Sequence, residues 1–264
     1  MIGSTTAERG ERQRESSGPP PARRMRPPRL RMIIILAVAL VLLGAGGVWA
    51  LYGSNWLRVE RVTVSGTRVL TPAQVREAAD VPVGSPLASV DTDAIEARLK
   101  RELPRVDGVD VSRSWPHGIG LKVTERKPVL VVRKGANFTE VDRKGVRFAT
   151  VSDAPKGIPE LELATESSGS AAASLRRFGE DRLVREAVRV AGTLPARVAK
   201  DTRTVKVLSY DAVSLELTGG RTVDWGSSEE GGAKGRTLVA LMKASPDARH
   251  FDVSVPTAPA SSAS

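Results

Sequence analysis

The chain of 264 residues contains no cysteine, only two histidines and 4% aromatic residues. Without cysteine there is no disulfide framework and no thiolate metal site. Any domain outside the cytoplasm must then be held by its cores alone, which is ordinary for exported domains above about 60 residues. Scarce aromatics mean that those cores rest on Val, Leu, Ile and Ala, within a hydrophobic fraction of 41%. His117 falls in a turn and His250 at the start of a strand, with no further His or Cys at metal-ligand spacing. Both read as solvated surface residues, and no metal or other cofactor is expected. There is no Gly-x-Ser-x-Gly nucleophile elbow and no Ser-x-x-Lys set for transpeptidation. Gly231-Gly232-Ala233-Lys234-Gly235-Arg236-Thr237 has the glycines and lysine of a phosphate loop but not the Gly-Lys-Ser/Thr order. No catalytic constellation emerges, so the expectation is a protein that is not an enzyme.

Charge is present in quantity but is not concentrated. The net charge is +10, and residues 1–52 hold eight Arg against three Glu, leaving +5 for the remaining 212 residues. That longer portion mixes both signs and lacks the Lys/Arg stripe with interleaved aromatics that nucleic acid would require.

Met32 to Tyr52 reads MIIILAVALVLLGAGGVWALY, without one charge. Twenty-one helical residues at about 1.5 Å each span roughly 31 Å, the thickness of a hydrocarbon core. Trp49 and Tyr52 stand at its C-terminal end, where amphipathic aromatics favour the headgroup region. Arg23, Arg24, Arg26, Arg29 and Arg31 precede the run, whereas only Arg58 and Arg61 follow closely, which predicts a cytoplasmic N-terminus and an extracytoplasmic C-terminus. The competing reading is a cleaved signal peptide with Ala45-Gly46-Gly47 as its small-residue site, but the apolar run exceeds an h-region and the preceding segment is long. Residues 1–31 form a basic tail too poor in branched apolar residues to order itself. Its Pro-rich stretch, residues 19–29, reads as a tether beside anionic lipid rather than an SH3-type ligand.

Residues 57–126 follow a β-α-α-β-β order. Leu57, Val59, Val62 and Val64 mark a strand whose alternation slips at Glu60-Arg61, which predicts a bulged or twisted edge strand ended by Gly66. Thr71-Pro72 opens one helix as cap and first residue, with Val75, Ala78 and Ala79 as its apolar face. Asp91 caps a second, in which Ile95, Leu99 and Leu103 share a face, Glu96 can pair with Lys100, and Pro104 stops the helix. Val109 and Val111 alternate with polar residues, as do Ile119, Leu121 and Val123, and the turn Ser114 to Gly118 makes them a hairpin.

Residues 127–256 read as a mixed or antiparallel β domain with flanking helices. Val129–Val132, Phe138–Val141 and Val146–Phe148 are strands, with a turn at Asp142-Arg143-Lys144-Gly145. Residues 165–174 are rich in Ser, Ala and Gly and read as a mobile insertion. Leu183, Ala187, Val190 and Ala191 mark a helix, Val205–Tyr210, Val213–Leu217 and Thr222–Trp225 three strands, and Leu238, Leu241 and Met242 a last helix. Phe251, Val253 and Val255 then alternate in a final strand before Pro256, leaving residues 257–264 as a loose tail.

Several of these residues together resemble a known family. The strand ending at Gly66, Leu87 with Val90-Asp91, Leu103-Pro104, Arg113, Trp115-Pro116, Glu125-Arg126 and Pro128 resemble the POTRA module of the FtsQ/DivIB family. In that family a cytoplasmic tail and one span precede the module. The Asp142-x-x-Gly145 turn and the closing Asp252-Val253-Ser254 are similar to its β domain. The fold so implied is α+β: one transmembrane helix, a POTRA domain and a β domain. The resemblance implies a scaffold of the cell-division apparatus at the septum. Its partners would be single-span division proteins of the FtsB/DivIC and FtsL type, together with proteins of septal wall synthesis. In the family the end of the β domain receives such partners, which makes Phe251, Val253, Ser254, Val255 and Thr257 the contact residues by analogy. Proline at 256 departs from the family and would shorten an edge strand there. The bland alternative is that Phe251 and Val253 fill the core. A POTRA-bearing chaperone or export-assembly factor, and a membrane-anchored wall enzyme, are the other functional classes.

Overall fold

The computed structural model describes residues 28–163, 176–177 and 179–263. The basic tail of residues 1–27 and the insertion at 165–174 lie outside the described residues. By contacts the chain divides into Met1–Ala50 and Leu51–Ser264. The first holds most of helix α1 (Pro28–Tyr52), whose side chains are exposed along its apolar length. Leu30–Tyr52 of this helix is long and apolar enough to cross a membrane.

The second unit begins with a three-stranded sheet. Its elements are β1 (Arg61–Ser65), α2 (Pro72–Ala79), α3 (Thr92–Glu102), β2 (Val106–Ser114) and β3 (Gly118–Glu125). The strand order is β1-β3-β2, with β1 parallel to β3 and β2 antiparallel to it. Because β1 and β3 are parallel, the chain enters this sheet at one end and leaves it at the other. Eight residues of β3 at about 3.3 Å each separate those ends by roughly 26 Å.

Local chemistry accounts for the helices. Thr71 and Gln74 form a reciprocal capping box, the Thr71 hydroxyl accepting the Gln74 N–H at 3.2 Å and the Gln74 side chain accepting the Thr71 N–H at 2.9 Å. Asp91 accepts the N–H groups of Asp93 and Ala94, and Glu96 pairs with Lys100 at 2.5 Å. Val75, Ile95 and Leu99 then meet Ile119, Leu121 and Val123 in a core of their own. The strand expected from Leu57 starts later, at Arg61. Leu57 lies in a 3-10 turn, and Val59 pairs with a loop instead of β3, donating to Ser85 O and accepting from Gly84 N–H. Glu60 and Arg61 N–H both donate to His117 O, which is the physical form of the slip in alternation. Gly66 ends β1 at φ 84°, and a Cβ built on it would stand 2.1 Å from the Val123 carbonyl oxygen. Only glycine fits that turn.

The larger sheet comprises β4 (Pro128–Lys134), β5 (Asn137–Asp142), β6 (Arg147–Val151), β7 (Glu160–Leu163), β8 (Thr202–Ser209), β9 (Ala212–Leu217), β10 (Thr222–Gly226), β11 (His250–Asp252) and β12 (Ala260–Ser262). Their order is β12-β11-β10-β9-β8-β7-β4-β5-β6, mixed in direction: β4–β7, β7–β8 and β10–β11 are parallel. Helices α4 (Glu180–Thr193), α5 (Ala196–Asp201) and α6 (Gly231–Ala244) complete it. Val184, Ala187 and Val190 of α4 and Leu238 of α6 bury against Leu161, Val205, Leu215, Trp225 and Phe251. At roughly 1.5–3 kcal/mol for each fully buried large apolar side chain, this core is the main source of the domain's stability.

The two sheets are joined by ion pairs. Arg105 donates to Glu140 at 2.6 Å, Arg126 reaches both Asp107 and Asp142, and Lys144 pairs with Asp107. Arg105 also lies over the Phe148 ring, 5.2 Å from its centroid. Glu125 serves a different task. Its carboxylate accepts the backbone N–H groups of Arg68, Val69 and Leu70, closing the loop between β1 and α2.

Candidate partner-binding edge

The C-terminal end of the large sheet differs from the sequence expectation in two respects. The final strand does not run through Val255, and it is not the edge. β11 stops at Asp252, whose carboxylate accepts the Ser254 N–H at 2.9 Å and the Ser254 hydroxyl at 2.7 Å. Such a side-chain-to-backbone turn draws the chain out of the ladder before proline is reached. These same bonds hold the Asp252 carboxyl below its ordinary value, the Ser254 hydroxyl first, then its backbone N–H. The segment expected as a loose tail, residues 257–264, instead supplies β12, with Phe251 opposite Ser261 and Asp252 opposite Ala260. Arg249 N–H donates to Ser262 O, and the Ser261 and Ser245 hydroxyls meet at 3.3 Å.

The named contact residues therefore separate into three groups. Phe251 and Val253 are fully buried, packed with Trp225 and Leu238. Ser254 is half-buried, with its hydroxyl engaged by Asp252 and its Cβ 3.1 Å from the space a Gly226 side chain would occupy. Val255 and Thr257 face solvent, Val255 with 55% of its surface exposed. The turn between them is closed by Ala258 N–H donating to Val255 O. β12 pairs on one side only, and Ala260 and Ser262 on it are exposed. Sequence reasoning missed β12 because Ala-Ser-Ser carries no strand signal of its own; it is ordered by the partner it meets.

The other features singled out from sequence have structural tasks. Lys234, in the glycine-rich stretch, is buried, and its ammonium donates to Ser227 O at 2.9 Å. Burial pushes its pKa down. Glu186 on α4, also buried, accepts the Ser228 N–H at 2.7 Å, so a side chain from each of two helices pins the β10–α6 loop. His250 stands beside Thr222 and Asp224, its Nδ1 at 3.0 Å from the Thr222 hydroxyl. Among the described residues no three His, Asp or Glu side chains gather as a metal site.

Comparison of the sequence with known families identifies the first of the two sheets. Residues 57–126 match the model of the POTRA domain, FtsQ-type. The chain is 76% identical to the cell division protein FtsQ of Streptomyces coelicolor, over the full length of both, and 72% identical to that of Streptomyces collinus, again over both full lengths. A solved structure, the major extracytoplasmic domain of the cell division protein DivIB from Geobacillus stearothermophilus, covers 46% of this chain and 94% of its own, with 18% identity and a TM-score of 0.28. An FtsQ-type POTRA module, an apolar N-terminal helix and full-length identity to the Streptomyces proteins lead to one assignment: the chain belongs to the FtsQ family of cell division proteins.

Proposed function

We propose that this protein is a non-catalytic scaffold of the septal division machinery. Helix α1 anchors it with the N-terminus in the cytoplasm, and the two β-containing domains work outside the membrane. In this reading it links cytoplasmic division components to septal peptidoglycan synthesis through protein contacts alone. The partners are single-span division proteins of the FtsB/DivIC and FtsL type, and the place is the division septum.

The observation that carries the reading is the one-sided pairing of β12. An unpaired strand edge offers N–H and C=O groups to which an extended partner segment can add. Ala260 lies on that edge strand, and the exposed Val255 and Thr257 stand on the turn that leads into it. Phe251 and Val253 contribute from beneath by holding the strand that β12 pairs with.

The test is affinity capture of the full-length protein from solubilised membranes, comparing wild type with an Ala260→Lys/Ser262→Lys variant. Lysines on an edge strand discourage strand addition, and at exposed positions they leave the fold intact. Single-span division proteins should co-purify with wild type and not with the variant. Partners that persist with the variant remove β12 as the site, whereas their absence from wild type removes the scaffold reading.

A further inference from the structure

The POTRA sheet has a second exposed feature at its opposite end. Of the four Trp in the chain, Trp225 is buried in the large sheet, Trp49 lies near the end of α1, and Trp56 and Trp115 remain. Trp56 is 69% exposed and Trp115 52% exposed. Val83 is exposed to 66%. In a chain so poor in aromatics, two indoles in solvent call for an explanation.

Hydrogen bonds gather the chain neighbours of these three residues about one short stretch of backbone. Residues 58–61 lead into β1, and loops lie on both sides of them. On one side Gly84 N–H donates to Val59 O at 2.8 Å, Val59 N–H donates to Ser85 O, and the Arg58 guanidinium donates to Gly84 O at 2.7 Å. On the other, Glu60 and Arg61 N–H donate to His117 O, in the turn that carries Trp115. This is the end of the sheet at which the chain enters β1, remote from the end at which β3 leaves for the large sheet. Arg58, Glu60 and Arg61 give the stretch a net charge of +1.

Chain length supplies the occupant. Trp56 lies four positions after Tyr52, the last residue of α1, and four residue steps reach at most roughly 14 Å. The Ser54-capped 3-10 turn at Asn55–Leu57 contracts that reach further. If α1 crosses a bilayer, Trp56 lies close enough to the end of that span to reach the lipid headgroups, and the loops bonded to residues 58–61 stand at the same end of the POTRA sheet. Tryptophan, with an apolar ring and one N–H donor, is the side chain that favours that zone, and cations beside it are attracted to anionic headgroups.

We propose that the Trp56, Val83 and Trp115 end of the POTRA domain rests in the outer headgroup layer of the membrane. This contact is a second attachment beside α1. The inference depends on α1 spanning the membrane, as read above, and its test separates the two.

The absence of cysteine makes site-specific labelling direct. The full-length protein is reconstituted in nanodiscs of phosphatidylglycerol and phosphatidylethanolamine, with one spin label at Val38→Cys, Val83→Cys or Val69→Cys. Val38 lies within α1, and Val69, 63% exposed, lies at the far end of β1. The ratio of accessibility to oxygen over a water-soluble nickel chelate should be several-fold higher at Val83 than at Val69. A Trp56→Ser/Trp115→Ser background should return Val83 to the Val69 value. If Val38 reads as membrane-embedded while Val83 matches Val69 in wild type, the headgroup contact is refuted and the anchor stands. If Val38 itself reads as aqueous, the anchor fails and the contact with it. A Val83 label that is aqueous in lipid alone, and shielded only when another division protein is added, assigns the patch to a protein partner and overturns the proposal.

Discussion

Arg105 and Glu140 meet at 2.6 Å across the boundary between the POTRA domain and the large sheet, with side chains only 15% and 5% exposed. A pair so deeply placed costs desolvation on both sides, so its net contribution is small while both partners are present. Removal of one leaves a buried charge uncompensated, at a cost on the order of 3 kcal/mol. Glu140→Ala should therefore lower the denaturant midpoint markedly, and Arg105→Met/Glu140→Met should recover much of the loss. Equal loss in the single and double variants would show that the pair does not act as a unit. Limited proteolysis near Pro128, where the two sheets join, checks the same point independently.

Glu125 gives the protein a defined acid sensitivity. Burial raises its carboxyl, but the N–H groups of Arg68, Leu70 and Val69 together outweigh burial and leave its pKa below the ordinary value. A depressed carboxyl contributes stability above the unfolded pKa, near 4.3, and loses it as pH falls through the lower folded value. Urea midpoints measured from pH 7 down to about pH 3 should decline for wild type across that window. Glu125→Gln should begin lower at neutral pH and decline less steeply. Parallel curves for the two proteins would remove Glu125 from the account.

Gly66→Ala should be poorly tolerated, because the added methyl meets the fixed Val123 carbonyl at 2.1 Å, with φ at 84°. Strain at a single such φ costs about 1–3 kcal/mol, and the clash adds to it. The expected readout is loss of cooperative unfolding in the POTRA domain. At Gly135, also at positive φ but with open space around its Cβ position, alanine should cost less. Comparable losses at both sites would assign the effect to φ alone.

Elements set by neighbouring residues were legible in the sequence. The Thr71 and Asp91 caps, the Ile95–Leu99 stripe and the Glu96–Lys100 pair each span at most four positions, and each forms as the spacing predicts. What depends on distant partners was not legible. β1 lies parallel to β3, 57 positions later in register, and Arg105 finds Glu140 across 35 positions. The edge was misplaced for a similar reason. Phe251 and Val253 do mark the buried side, but the Asp252–Ser254 turn ends the ladder and leaves Val255 exposed, and β12 becomes a strand only through its pairing with β11. Core residues announced themselves by hydrophobicity, whereas the open edge, made of Ala and Ser, carried no such signal.

That distinction yields a final expectation for the candidate edge. Phe251 is 1% exposed and anchors β11, the strand that pairs with β12, in the core, so Phe251→Ala should cost about 3–5 kcal/mol and lower the thermal midpoint of the full-length protein. Thr257→Ala, at an exposed position, should stay within about 0.5 kcal/mol of wild type. Both substitutions fall within the segment named from sequence as a contact region, yet they act by different routes. Partner capture by Phe251→Ala should fall only as its fold is lost on warming, and should approach wild type where the variant remains folded. A Phe251→Ala protein that is fully folded and still captures nothing would place that ring in the contact itself and require the edge to open.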